Sequence, residues 1–295
     1  MSIQPKKIIV IGAGTMGQGM AQWFCQTVEK SKIERVELVD INVDLAKEAV
    51  KRIYESWKKL EEKGKFTTQQ VKQFEEVLIP TSMSDISEDA DLVIEAIIEN
   101  LDIKTKLFQE LDVRLKAEAI FASNTSSIPI DSMAKSLPLA RKDKFIGIHF
   151  FNPAPIMKLV EIIRGTYTSE EIAKQLKNWF EQNQKKPALC NDGPGFIVNR
   201  VARNFYGESL RISNVDKVSN YQEIDHILKE VGGFKMGPFE LMDLIGIDVN
   251  YSVTESVWKS FYYEPRFAPH ALQRKMVESN RLGRKTKKGF YSYED

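Results

Sequence analysis

Gly12, Gly14 and Gly17 stand in the spacing G-x-G-x-x-G directly after the apolar run 8–11, and a helical pattern begins at about Met16. The first glycine of such a loop permits a tight turn. The second lets the backbone approach a pyrophosphate, and the third lets helix and strand pack closely. The first helical turn, with Thr15 and Met16, then presents unbonded N–H groups to the phosphates. A second apolar run, 36–40, closes on Asp40. A carboxylate at that distance accepts hydrogen bonds from ribose hydroxyls and repels a 2′-phosphate, which favours NAD over NADP.

A second pair of residues could move a proton. His149 lies in IGIHFFNPAP (146–155), at the end of an apolar run, and Glu161 follows inside MKLVEII (157–163). If 157–163 is a strand, Glu161 shares a face with Met157, Leu159 and Ile163. A carboxylate among apolar neighbours is costly unless paired, and a histidine closing the preceding strand is a suitable partner. Paired in this way, the carboxylate orients the imidazole and stabilises its protonated form, which is the equipment of a general base. A core histidine bonded to a backbone carbonyl, beside a solvated edge-strand glutamate, fits the same pattern; periodicity alone does not separate the two. His226 and His270 lie in helical segments with no motif around them. No cluster of His, Cys, Asp and Glu has metal-ligand spacing, so no metal is expected.

Both groups need a scaffold. Apolar runs at 8–11, 36–40, 90–97, 119–124 and 144–151 alternate with helix-favouring segments at 43–63 and 104–116. The first of these helices carries an apolar stripe through Leu45, Ala49, Ile53, Trp57 and Leu60. Strands alternating with helices predict an α/β fold: a Rossmann-type domain whose parallel sheet is covered on both faces. The pattern changes near residue 190. In NDGPGFIVNRV, Asp192 is placed to cap a helix and Pro194 suits a first helical position. Helices are predicted at about 195–212, 221–231, 238–245, 247–262 and 268–279, with Gly232, Gly233 and Gly246 as stops. The expected division is a dinucleotide-binding domain over 1–190 and an all-α domain over 191–295.

The bulk composition narrows the class. In 295 residues, 42 Lys and Arg against 41 Asp and Glu give a net charge of +1. That balance predicts no general attraction to nucleic acid or an anionic membrane. Two cysteines, Cys25 and Cys190, are too few for a disulfide framework and suit a reducing compartment. The N-terminus runs almost directly into an apolar strand, without room for a signal peptide, and no run approaches the length of a membrane helix. A soluble, cytoplasmic protein is expected.

GAGTMG, IEN, SNTSS, HFFNP, KLVEII, DGPGFIVNR and GPFELMDLIG occur in that order between Lys7 and Tyr293. Together they resemble the 3-hydroxyacyl-CoA dehydrogenase family, including its short-chain 3-hydroxybutyryl-CoA members. The resemblance implies NAD as cofactor and an acyl-CoA as substrate. The reaction would be oxidation of an L-3-hydroxyacyl-CoA to the 3-ketoacyl-CoA, a step shared by fatty-acid β-oxidation, butyrate metabolism and aromatic degradation. His149 would be the base and Glu161 its partner. Ser126 would hydrogen-bond the substrate oxygen or thioester near the nicotinamide, and Asn199 would reach the same oxygen. Asn152, with Pro153, would shape the loop beside the cofactor. Glu99, Lys104 and Lys285 match cofactor-side positions, and Ser56 and Lys63 match positions that contact coenzyme A. The resemblance also implies a homodimer formed through the C-terminal domain. Two other readings compete: the same reaction on a 3-hydroxy dicarboxylyl-CoA of the 3-hydroxyadipyl type, and a non-catalytic, NAD-binding structural relative.

Overall fold

A computed structural model describes residues 3–213 and 221–293, and the chain divides after Gly193 into two compact units. The first unit runs β1 (Lys7–Ile11), α1 (Thr15–Gln26), α2 (Val28–Ser31), β2 (Arg35–Asp40), α3 (Val43–Glu62), α4 (Thr68–Val77), β3 (Leu78–Ser82), β4 (Leu92–Glu95), α5 (Leu101–Arg114), β5 (Ile120–Ser123), α6 (Ile130–Ala134), α7 (Leu139–Lys142), β6 (Phe145–Phe150), β7 (Leu159–Arg164), α8 (Glu170–Gln182) and β8 (Lys186–Asn191). The eight strands form one sheet in the order β3-β2-β1-β4-β5-β6-β7-β8. The chain winds one way from β1 to β3 and the other way from β4 onward. The crevice between β1 and β4 is therefore the switch point where ligands bind in this kind of sheet.

Continuous apolar runs account for the buried centre. Every residue of β4, β5 and β6 is buried, as strands covered on both faces must be. On α3 the buried stripe is Ala46, Ala49, Val50, Ile53 and Trp57. Leu45, expected within it, lies in the first turn and is exposed. Trp23 and Phe24 of α1 cluster with Phe150 of β6 and Trp179 and Phe180 of α8; the Trp23 and Phe180 rings stack with centroids 5.5 Å apart. This aromatic layer fastens α1, the helix that follows the glycine spacing, to the strand that carries His149.

One strand departs from the expected parallel sheet. β7 runs antiparallel to β6, with Ile148 opposite Ile162 and His149 opposite Glu161. The connection, residues 151–158, is too short for the crossover that parallel neighbours need, so the chain must turn back. The reversal places the start of β7 at the edge where the parallel strands end. β3, α4, α8 and β8 were not among the predicted elements.

The second unit, described by itself, holds α9 (Val198–Ile212), α10 (Tyr221–Glu230), α11 (Pro238–Ile245), α12 (Ile247–Ser260) and α13 (Ala271–Glu278). Tyr206, Leu210, Phe239, Met242, Leu272 and Phe290 are part of its core. Gly246 ends α11 with φ +101, a conformation that favours glycine. Asp192 does not cap α9 as expected. That helix starts later, at Val198, because Gly195 and Phe196 take positive φ, and the Asp192 carboxylate instead accepts the Asp131 N–H of α6. Among the described residues no helix is long and apolar enough to cross a membrane.

Candidate active site

The glycine loop sits at the switch point between β1 and α1. Gly12 has φ +106, and a Cβ there would press on the Ala96 carbonyl. A Cβ on Gly17 would overlap the Gly12 carbonyl oxygen, so close packing of helix on strand accounts for that glycine. Gly14 differs. It caps α1 with φ −71, and nothing lies within 4 Å of where its Cβ would be. The fold makes no demand for glycine at this position. The free space lies over the start of α1, where an anion is favoured by unbonded N–H groups and the helix dipole. Thr15 and Met16 form the first turn, Thr15 exposed and Met16 half-buried.

Asp40 ends β2 and reaches back into this loop, where its Oδ2 accepts the Ala13 N–H at 2.7 Å and its Oδ1 the Ile41 N–H at 2.8 Å. Each oxygen keeps acceptor capacity for a ribose hydroxyl. Beside it lies a cavity of about 260 Å³ lined by Gly12, Asp40, Ile41, Met83, Ile97 and Ile103, among others. Ile41 is 91% exposed, an apolar side chain left open at a polar rim. An apolar slot flanked by a carboxylate and an anion site fits a dinucleotide: base in the slot, ribose on Asp40, pyrophosphate over Gly14.

A buried ionic cluster supports the next loop. Glu95, at the end of β4, is fully buried. Its Oε1 accepts the Lys104 ammonium at 2.7 Å and the Ile97 N–H at 2.6 Å, and its Oε2 accepts the Ser123 hydroxyl at 2.7 Å. Lys104, on α5, also pairs with Glu99 at 2.9 Å. Glu99 Oε1 in turn accepts the Thr125 hydroxyl at 2.6 Å and the N–H groups of Ser126 and Ser127 at 3.1 and 3.2 Å. Burial would raise the Glu99 carboxyl, but the Lys104 charge and these hydrogen bonds outweigh it and hold its pKa below the usual carboxylate range. Lys104, expected on the cofactor side, is 1% exposed and engaged by two carboxylates. Its reach to any ligand runs through Glu99 and the serine loop.

That loop delivers Ser126 to His149. Ser126 Oγ lies 3.0 Å from His149 Nε2, and His149 Nδ1 lies 2.7 Å from Glu161 Oε2. His149 is 5% exposed and Glu161 fully buried. A carboxylate only accepts, so Nδ1 carries the proton and Nε2 presents its lone pair toward Ser126. Asn124 Oδ1 accepts the Phe150 N–H at 2.8 Å, which ties the serine loop to the end of β6. A Ser–His–carboxylate chain could also serve acyl transfer through a serine nucleophile. That chemistry needs N–H donors beside the serine for the oxyanion, and here Glu99 occupies the Ser126 and Ser127 amides. The arrangement is therefore better suited to taking a proton from a hydroxyl that Ser126 orients.

The other expected residues fall as follows. Asn152 is exposed on the connection after β6 and precedes a cis peptide bond to Pro153. Ser56, on α3, accepts from Gln22 of α1 at 3.2 Å, and Lys63, at the end of α3, is exposed. Asn199 lies on α9, and Lys285, paired with Asp248 at 2.6 Å, follows α13; both belong to the second unit. Sequence reading missed Glu95, Thr125, Asn124 and the isoleucines of the slot. The acid inside the apolar run DLVIEAI was a readable signal for Glu95, because a charge in a buried strand needs a partner.

Residues 7–193 match the model of the 3-hydroxyacyl-CoA dehydrogenase NAD-binding domain, and residues 195–293 match that of the family's C-terminal domain. The chain belongs to the 3-hydroxyacyl-CoA dehydrogenase family. It is 39% identical over 293 residues to the 3-hydroxyadipyl-CoA dehydrogenase of Escherichia coli, covering 99% of this chain and 60% of that longer protein. It is also 39% identical to a probable 3-hydroxybutyryl-CoA dehydrogenase of Deinococcus radiodurans, over 97% of this chain and all of the relative. The crystal structure of (S)-3-hydroxybutyryl-CoA dehydrogenase from Ralstonia eutropha superposes with a TM-score of 0.90 at 34% identity, covering 99% of this chain and 100% of that one. As a 3-hydroxyacyl-CoA dehydrogenase family member the chain is an NAD-dependent oxidoreductase, and its first unit is the family's NAD-binding domain.

Proposed function

We propose that this chain interconverts an L-3-hydroxyacyl-CoA and the 3-ketoacyl-CoA, with His149 as general base, Glu161 as its partner and Ser126 orienting the reacting oxygen. The observation that carries this reading is the hydrogen-bonded line Ser126–His149–Glu161 beside the switch point of an NAD-binding sheet. The glycine loop, Asp40 and the isoleucine slot hold the cofactor, with Asn152 and Glu99 on its nicotinamide side. NAD, when bound, takes the hydride that leaves C3.

The protein handles the proton. His149 Nε2 accepts it from the 3-hydroxyl as the C3–O double bond forms. The Glu161 carboxylate then faces an imidazolium, and its charge stabilises that form. In the reverse direction the imidazolium returns the proton to the oxygen of the ketone. Ser126 fixes the oxygen near Nε2, and the loop that holds Ser126 is itself fixed by Glu99, Lys104 and Glu95. Asn199, Lys285, Ser56 and Lys63 are assigned to substrate, cofactor and coenzyme A contacts on the family likeness. So are homodimerisation through the second unit and a cytoplasmic location.

A short acyl chain is the preferred substrate. Phe151 packs on His149 with ring centroids 4.5 Å apart, and the connection beyond it exposes Ile156 and Met157, surroundings that suit an apolar tail. The name of the Escherichia coli relative favours the second reading, a dicarboxylyl substrate. Comparing kcat/KM for acetoacetyl-CoA and 3-oxoadipyl-CoA tests this. Preference for the first supports the short-chain reading, and preference for the second replaces it.

A further inference from the structure

Lys185 stands between α8 and β8 and is 6% exposed, yet among the described residues no carboxylate pairs with it. Its ammonium donates to the backbone carbonyls of Ala154 at 2.5 Å and Met157 at 2.6 Å. It also lies 4.8 Å from the centroid of the Trp23 ring and 5.5 Å from that of Phe150. Two of its three N–H donors are thus taken by carbonyls, and the charge rests on aromatic faces. Among the described residues the elements packed around it supply no counter-charge. α1 has no Asp, Glu, Lys or Arg; residues 151–158 carry only the exposed Lys158; on β6 and β7, His149 and Glu161 pair with each other and Arg164 is itself a cation; on α8, Glu170 pairs with Lys174, Glu181 pairs with Lys177, and Glu171 accepts from Gln175. Burial alone lowers the Lys185 amine to about 8.

An unpaired buried cation is a poor way to stabilise a core, and an apolar side chain among these rings would do better. What the ammonium does hold is specific. Ala154 and Met157 belong to the connection that leaves β6 directly after His149. Trp23 belongs to α1, the helix that begins at the glycine loop. The same connection packs on α1 one turn earlier, where a Cβ on Gly19 would lie 3.2 Å from the Ala154 Cβ.

We propose that Lys185 is a positioning residue: it clamps the connection after His149 onto α1 and so sets the base relative to the cofactor held at the start of that helix. This rests on the reading of His149 as the base. The clamp accounts for a lysine in a site where stability alone calls for an apolar residue.

The test is Lys185→Met in the full chain. The variant keeps the stem and loses the charge and all three donors. Amide hydrogen exchange without cofactor should rise about tenfold in residues 151–158 and stay unchanged in β1 to β5, consistent with the loss of charge-assisted bonds. The melting temperature should change by no more than about 5 °C, since the two carbonyls lose a donor while a buried charge is removed. kcat with acetoacetyl-CoA should fall about tenfold while its KM changes less than about threefold. Unchanged exchange in 151–158, or unchanged kcat, overturns the clamp. A general rise in exchange with a melting temperature lowered beyond that range also overturns it, since that is a structural role. If the Met variant does not fold, Lys185→Gln carries the same measurements: a change confined to 151–158 with reduced kcat supports the clamp, and a uniform change or none overturns it. A wild type inactive on every hydroxyacyl- or ketoacyl-CoA tried would sink the reading of His149, and the exchange data would still decide whether Lys185 holds the connection.

Discussion

His149 and Glu161 face each other as register partners on antiparallel strands, with Nδ1 2.7 Å from Oε2. The pairing depends on the turn back after residue 150. A parallel β7 would put its own start at the far end of the sheet and leave the glutamate away from the histidine. Glu161 is therefore held by the ladder and needs no loop to find its partner.

Replacing Glu161 by Gln keeps the shape and removes the charge that stabilises the imidazolium. kcat should fall about 10²-fold or more, within the range of lost general-base assistance. Fluorescence titration with NADH should give an affinity within about threefold of wild type. A Gln variant with wild-type kcat contradicts the partner role.

Glu99 should govern the serine loop in a pH-dependent way. Its folded pKa lies below its ordinary value of 4.5, so the unfolded chain binds the proton more readily. The stability it contributes is present above about 4.5 and is lost as pH falls through the folded pKa. The melting temperature of wild type should exceed that of Glu99→Gln at neutral pH, and the difference should shrink below pH 4.5. A difference independent of pH contradicts this.

Gly14 and Gly17 should fail in opposite ways. Gly17→Ala forces a Cβ into the Gly12 carbonyl and should lower stability by roughly 3 kcal/mol or more, read by thermal unfolding without cofactor. Gly14→Ala meets nothing in the protein, so unfolding should shift by less than about 1 kcal/mol. NADH affinity should fall at least about tenfold in that variant, because the new methyl sits where the pyrophosphate approaches. Equal loss of stability in both variants contradicts the assignment of the open space.

Asp40 should set cofactor choice. Wild type should prefer NADH to NADPH by about 10²-fold in kcat/KM, and Asp40→Ser should narrow that ratio, since the serine no longer repels a 2′-phosphate. The affinity for NADH should fall as well, because the Ala13 N–H loses its acceptor.

Much of this was legible in the residues. The glycine spacing, Asp40 and the strand–helix alternation follow from local pattern, and each element lies close to where the pattern put it. The partnership of His149 and Glu161 was suggested by the cost of burying an acid but needed the observed register to become a distance. The reversal of β7 was missed because apolar periodicity is the same for either strand direction; the shortness of 151–158 was the available clue. β3 and β8 were missed for a related reason. Each is an edge strand interrupted by proline, Pro80 and Pro187, and neither shows a clean alternation. Lys104 was expected on the cofactor side from the family likeness, and only the three-dimensional structure shows it shut between Glu95 and Glu99. Lys185 gave no signal at all, because its partners are backbone carbonyls and rings.

The most direct measurement is NADH oxidation with acetoacetyl-CoA, followed by absorbance, in wild type and His149→Ala. The expected result is rapid turnover in the wild type and a loss of about 10²- to 10⁴-fold in kcat in the variant, with NADH binding retained. A variant that turns over like the wild type would contradict the assignment of His149 as the base.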